Sequence, residues 1–297
     1  MTLSFNENIT LDTSRVNRGR RGAAIGGGIS GVSIIGAIIV FALTGQLPDF
    51  NQLMGDTGGF QTGSKTQYVS QCTTGADANN HPECRMIAGT NSLDAFWGEQ
   101  LPAEAGVANQ QPYLTLYNGT TTTACGTGTS QMGPFYCPAD QTIYMDVSFF
   151  NELESMGAQN TSLAQLYIIA HEYGHHIQNQ LGILNRIDHN DLGENSAMVR
   201  SELQADCLAG TWIAHAAGTI DPDTGIAFMK QPTQEELSSA LAAAQSVGDD
   251  KIYENAGMQA NPDTFSHGSA ANRQKWLTRG MQGGTIASCD TWSPATL

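Results

Sequence analysis

Basic residues are scarce in this chain. Thirteen Lys and Arg stand against 28 Asp and Glu, a formal net charge of −15 over 297 residues. A surface of that sign repels phosphate, which argues against nucleic acid as a partner. The acidity otherwise serves solubility. Charge of either sign is missing altogether from Gly22 to Pro48. No C-x-x-C pair occurs among the six cysteines, which speaks against a cysteine metal site. No internal repeat is present. The length is enough to bury a full-sized core, in one large domain or two.

The uncharged stretch contains Ile29, Val32, Ile34, Ile35, Ile38, Ile39, Val40 and Phe41, with Arg15, Arg18, Arg20 and Arg21 just before it. It reaches the ~20 residues that a membrane-spanning helix needs. By the positive-inside rule the arginines stay cytoplasmic and the rest of the chain emerges on the other side. The stretch has two rival readings. A cleaved signal peptide lacks an A-x-A site after the apolar run. A glycine-rich linker fits Gly26, Gly27 and Gly28 but not the dense Ile/Val half that follows. The expected organisation is a disordered cytoplasmic arm (1–21), a transmembrane helix (22–45), a linker rich in Gly, Asp, Gln and Thr (46–66), and a folded extracytoplasmic domain (67–297). The cysteines fit export, because all six follow the apolar stretch. Sequence proximity suggests Cys72–Cys84 and Cys125–Cys137, which leaves Cys207 with Cys289. Other connectivities remain open.

Within the domain, Asn91–Trp97 opens a helix with Asn91 or Ser92 as its cap. Tyr113–Tyr117 and Thr142–Val147 alternate as strands. Helices follow at Ser148–Met156, from Leu163 to Leu181 or Leu184 behind a Ser162 cap, and from Asn195 or Ser196 to about Ala217. Thr233-x-x-Glu236 is a capping box for a helix through Ala243, and a last helix runs from Ser269 to Met281. Few strands and helices in blocks predict an α+β fold, mainly helical with a small sheet.

The chemistry gathers at His171-Glu172-Tyr173-Gly174-His175, which fits H-E-x-x-H. Two histidines at i and i+4 leave one helical face and can reach one metal ion. Zinc tolerates mixed N/O ligands and is redox-silent. Glu172 points roughly 100° away around the helix, so it is placed as a general base for a metal-bound water rather than as a ligand. The apolar run Leu163 to Ala170 buries this helix, and a buried His-Glu-His cluster without a metal is costly. Gly174 makes room for a close neighbour or for the metal site. A catalytic zinc needs a third protein ligand. Glu202 supplies it from the next helix, and Asp206, one turn on, fixes a ligand histidine's tautomer from behind. The alternative makes Asp206 the ligand.

The words His-Glu-Tyr-Gly-His-His-Ile-Gln (171–178), Glu-Leu-Gln-Ala-Asp-Cys-Leu-Ala-Gly (202–210) and Phe-Tyr-Cys-Pro-Ala-Asp (135–140) resemble the bacterial "putative neutral zinc metallopeptidase" family, of the glutamate-zincin type. The resemblance covers nearly the whole chain. It implies a zincin-like fold, one zinc per chain and hydrolysis of protein or peptide substrates. It also matches the arm, glycine-rich membrane segment and ectodomain. Thr142–Val147 is then a candidate edge strand for aligning substrate. His267 is a candidate donor to the oxyanion, against a plainer role as a cap or an exposed residue. Tyr144 and Tyr173 are further donor candidates, and His176 reads as structural. The expectation is thus a membrane-anchored zinc peptidase with His171, His175 and Glu202 as ligands, Glu172 as base and Asp206 behind them. The competing class is a non-proteolytic binding or assembly factor with a structural zinc.

Overall fold

The computed structural model describes residues 4–18, 69–188 and 190–297. Strand β1 is Val16–Arg18. Helix α1 (Gly75–Asn80) leads into α2 (Pro82–Ala105), which begins with Pro82 in its first turn, where a missing N–H costs nothing. Strands β2 (Tyr113–Leu116), β3 (Thr120–Thr123), β4 (Gly126–Thr129), β5 (Phe135–Cys137) and β6 (Thr142–Met145) follow. The rest is helical: α3 (Phe149–Ser155), α4 (Ser162–Gln180), α5 (Ala197–His215), α6 (Gln234–Ser246), α7 (Asp249–Asn255) and α8 (Ala270–Met281). Helices and small sheets are mixed, as the blocks of pattern suggested.

The main sheet has the order β1-β2-β6-β5. β1, β2 and β6 run parallel, with Val16 opposite Leu114 and Leu114 opposite Ile143. β5 closes the sheet antiparallel to β6. β3 and β4 form a separate hairpin folded onto β5. Gly128 permits that contact, because a Cβ there would sit 2.6 Å from the Phe135 ring. Cys125–Cys137 ties hairpin to sheet, and Cys72–Cys84 and Cys207–Cys289 form the other two bridges, the first two pairs as sequence proximity suggested and the third as the pair left over. The closest helix crossing is α5 on α8. Gly210 and Gly280 face each other there, and a Cβ on Gly280 would lie 2.0 Å from the Cys207 carbonyl oxygen.

The single-pass membrane arrangement does not stand. No helix among the described residues is long and apolar enough to cross a membrane. The expected span, 22–45, and the linker, 46–66, lie outside the described residues. Residues 4–18, expected as a disordered cytoplasmic arm, are folded into the body instead. Phe5, Ile9 and Leu11 are buried in the main core, and β1 is one edge of the main sheet. Segments that share a core cannot lie on opposite sides of a bilayer. The preceding transmembrane helix, the anchor it provided and the cytoplasmic N-terminus are therefore corrected together.

Two further expectations change. Asn91 does not cap a helix; it lies in the middle of α2, where its side chain exchanges hydrogen bonds with the Asp12 backbone at 2.9 and 3.1 Å. β6 is not an edge strand, since β2 and β5 flank it.

Candidate metal centre

α4 and α5 carry the site. Thr161 caps α4 by accepting from the Ala164 N–H, and Ser196 caps α5 by accepting from Val199. From Leu163 to Gln178 every residue of α4 is buried, so packing surrounds this helix on all sides. α4 meets α5 at Gly174. A Cβ there would lie 3.0 Å from both the Cα and the carbonyl oxygen of Ala205. The glycine thus makes room for a neighbouring helix, and this close approach sets Glu202 opposite the two histidines.

His171, His175 and Glu202 bring one ligand atom each to within 4.8 Å of one another. His171 Nε2 is 3.2 Å from one Glu202 carboxylate oxygen and His175 Nε2 is 3.3 Å from the other. The far side of each ring fixes its tautomer. His171 Nδ1 lies 2.8 Å from Asp206 Oδ1, an acceptor. His175 Nδ1 lies 2.8 Å from Gln178 Oε1. That amide is oriented in turn, because its nitrogen donates to the Ser201 carbonyl and to Gln204 Oε1 at 2.8 and 3.0 Å. Both Nδ1 atoms therefore carry a proton, so in the neutral rings both Nε2 atoms turn lone pairs toward a carboxylate. Three facing acceptors in a buried space repel one another unless a cation lies between them. The donor set of two imidazoles and a carboxylate suits zinc.

The electrostatics show the same demand for positive charge at this point, which His171 itself meets by holding a proton. Burial opposes a charge on His171, but Asp206 and Glu202 outweigh it and hold the ring's pKa up to about 10. Burial would raise the Glu202 carboxyl, yet His175 and His171 keep it well below the usual range. Asp206 is held down in the same way, against burial, by Arg273 and His171. Arg273 grips Asp206 with two hydrogen bonds of 2.9 Å and is itself 1% exposed. Tyr167 donates to Asp206 at 2.6 Å.

Glu172 is buried, and its carboxylate makes no hydrogen bond among the described residues. Burial raises its pKa, partly offset by the two histidines. A carboxylate with free lone pairs and raised basicity is equipped to take a proton.

His267 lies two residues before Ser269, the cap of α8, and is buried rather than exposed. Its Nδ1 is 3.1 Å from Asp249 Oδ1. The other Asp249 oxygen accepts the backbone N–H groups of Ser266, His267 and Gly268 at 2.8 to 2.9 Å. Gly268, at φ +92°, abuts Val199 and Leu203, which bracket Glu202 on α5. His267 Nε2 makes no hydrogen bond among the described residues. The hydroxyls of Tyr144 and Tyr173 are committed elsewhere, to Asp140 and to Asp94, both at 2.8 Å. His176 bonds Tyr136 and the Gln110 carbonyl, and burial lowers its pKa to about 4, so the ring is neutral.

Sequence reasoning passed over Gln178, Arg273, Tyr167 and Asp249. Gln178 had a signal: it stands one turn after His175, within the same motif word. Arg273 had one as well. With Trp276, Leu277 and Gly280 it shares the buried stripe of α8, where a lone charge calls for a partner. Asp249 and Tyr167 had none, since only the packing of α7 and α5 gives them their roles.

A family model described as "putative neutral zinc metallopeptidase" matches residues 6–292. The uncharacterized protein Rv2575 of Mycobacterium tuberculosis is 44% identical over 230 residues, 77% of each chain. The uncharacterized protein YpfJ of Escherichia coli K12 is 40% identical over 205 residues, 66% of each chain. No solved structure matches this chain.

Proposed function

The chain belongs to the "putative neutral zinc metallopeptidase" family, and from that premise we propose that it is a zinc-dependent peptidase with Glu172 as general base. The carrying observation is the convergence of three outward-committed acceptors, His171 Nε2, His175 Nε2 and a Glu202 oxygen, next to a Glu172 carboxylate that bonds nothing. When bound there, zinc supplies Lewis acidity that polarises a carbonyl and acidifies water. His171, His175 and Glu202 hold the metal, and Asp206 and Gln178 keep the two rings aimed. Glu172 takes the proton from the attacking water at its free oxygen and passes it to the leaving amine. His267, its ring oriented by Asp249 at Nδ1, donates from Nε2 to the oxygen of the scissile carbonyl when both ring nitrogens carry a proton. A purely structural zinc site has no need of Glu172, which places the binding-factor reading second.

The test is the purified full chain, loaded with zinc, on a mixed peptide library beside Glu172→Gln. Cleavage by the wild type alone, with about one zinc bound by both proteins, is expected for a site of this ligand set. Full zinc occupancy without cleavage by either overturns the peptidase reading and leaves the structural zinc.

A further inference from the structure

The helix that carries the two histidines is pinned on its back as well as its front. Tyr173 lies two residues from each histidine, roughly 200° around the helix, so it leaves the face opposite the ligands. Its hydroxyl donates to Asp94 Oδ1 at 2.8 Å and accepts from Asn109 at 3.0 Å. The other Asp94 oxygen takes the guanidinium of Arg15. Asp94 is 4% exposed, and burial lifts its pKa to about 6 even with Arg15 beside it. Asp12 is the other charged group acting on it, and that acts against ionisation. Without Arg15 the Asp94 carboxylate has no cation among the described residues to hold it in place.

Arg15 is itself held by the segment it belongs to. Asn91 brackets the Asp12 backbone, the Arg15 carbonyl accepts from Leu114 at 3.1 Å, and β1 follows at once. Farther back, Phe5 exchanges backbone hydrogen bonds with the Asn79 amide at 2.8 and 3.0 Å. Gly75 lets Asn6 close in, since a Cβ there would lie 2.0 Å from the Asn6 carbonyl oxygen. Residues 4–18 are thus a separately anchored strap across α1, α2 and β2, and through Asp94 on α2 they reach the ligand helix.

We infer that Arg15 is a positioning residue for the ligand-bearing helix, and that residues 4–18 form a clasp whose release loosens the metal site. The path is a continuous chain, Arg15 to Asp94 to Tyr173 to the backbone between His171 and His175. A turn of α4 about its axis swings both Nε2 atoms away from Glu202, and the clasp resists that turn. The inference rests on the proposed zinc site for its consequence but not for its geometry.

The experiment uses the full chain and measures zinc affinity by competition with a chromophoric chelator. Arg15→Met and Tyr173→Phe are each expected to weaken zinc about 5- to 10-fold, as residues along a coupled network do. The double variant is expected to be no weaker than the worse single one, because both changes cut the same chain of contacts. Affinity within about twofold of wild type for Tyr173→Phe, or a double effect equal to the product of the singles, overturns the inference. Should Arg15→Met fail to fold, Arg15→Lys takes its place in the cycle; it keeps the charge but loses the planar fork. Should the wild type bind no zinc, the peptidase reading fails on its own. Hydrogen exchange across Ile169–Ile177 then decides: faster exchange in Tyr173→Phe supports the clasp, and unchanged exchange overturns it.

Discussion

Replacing Gly174 with alanine tests how closely the metal site depends on one helix crossing. The added methyl would lie 3.0 Å from the Ala205 Cα and carbonyl oxygen and 3.2 Å from its Cβ. Carbon atoms rest at about 3.5–4.0 Å, so α4 and α5 must part by roughly 0.5 Å. Two effects oppose each other. Alanine gains about 1 kcal/mol over glycine inside a helix. Overpacking a tight core contact costs about 1–3 kcal/mol. The contacts are backbone and cannot swing aside, so the net is a loss of roughly 0–2 kcal/mol by the same figures. The site suffers more than the fold. Glu202 stands three residues from Ala205, and metal–ligand distances tolerate only about 0.2 Å. Zinc affinity is expected to fall about 10-fold or more, the usual effect of misplacing a ligand's support. The assay pairs a urea titration of the zinc-free chain with chelator competition. A variant stabilised by about 1 kcal/mol, the propensity gain alone, with unchanged zinc affinity would falsify the close-approach argument.

Arg273→Met leaves Asp206 buried without its cation and is expected to cost about 3–5 kcal/mol in urea unfolding. Arg273→Lys is expected to recover only part, because a single ammonium cannot reproduce the two hydrogen bonds. Asp94 carries a pH signature. Its folded pKa, about 6, lies above the ordinary 3.8, so the folded chain binds this proton more tightly and the group adds stability as pH falls through 6 toward 4. About 2 units at ~1.36 kcal/mol each sets the effect near 3 kcal/mol. It should appear as the difference between wild-type and Asp94→Asn stabilities across that window, and a constant difference from pH 7 to 4 refutes it. Replacing Cys207 and Cys289 with serine opens a bridge spanning 82 residues. The unfolded chain gains entropy worth about 4–5 kcal/mol at 25 °C, which should show as a lower urea midpoint.

The two site helices were legible because their capping residues and apolar periods are local features. Thr161 and Ser196 lie within a residue of the caps expected for them, and the Thr233–Glu236 capping box is present. α2 was misread at its start for an equally physical reason. Asn91 and Ser92 look like caps in sequence, but each is a mid-helix polar group with a distant partner: the Asp12 backbone and the Trp212 indole at 3.2 Å. The N-terminal arginines were read as the flank of a membrane segment. Arg15 instead turns inward to a buried carboxylate more than seventy residues away in sequence. Strand pattern alone likewise showed β6 as a strand but not its neighbours, because edge or centre is a property of the sheet.

By itself, the sequence determined the types and spacing of the candidate donors. Two histidines one helical turn apart and a Glu-x-x-x-Asp on the next helix specify donors and spacing, and spacing within a helix is a local consequence of 3.6 residues per turn. Tertiary structure decided what stands behind those donors. Only the crossing of α4 and α5 at Gly174, and of α5 and α8 at Gly210 and Gly280, brings Glu202 to the rings and Arg273 to Asp206. Only the packing of residues 4–18 onto α2 places them behind the helix that carries the two histidines. Those contacts join residues far apart in the chain, and close packing between helices follows from the whole fold rather than from any local pattern.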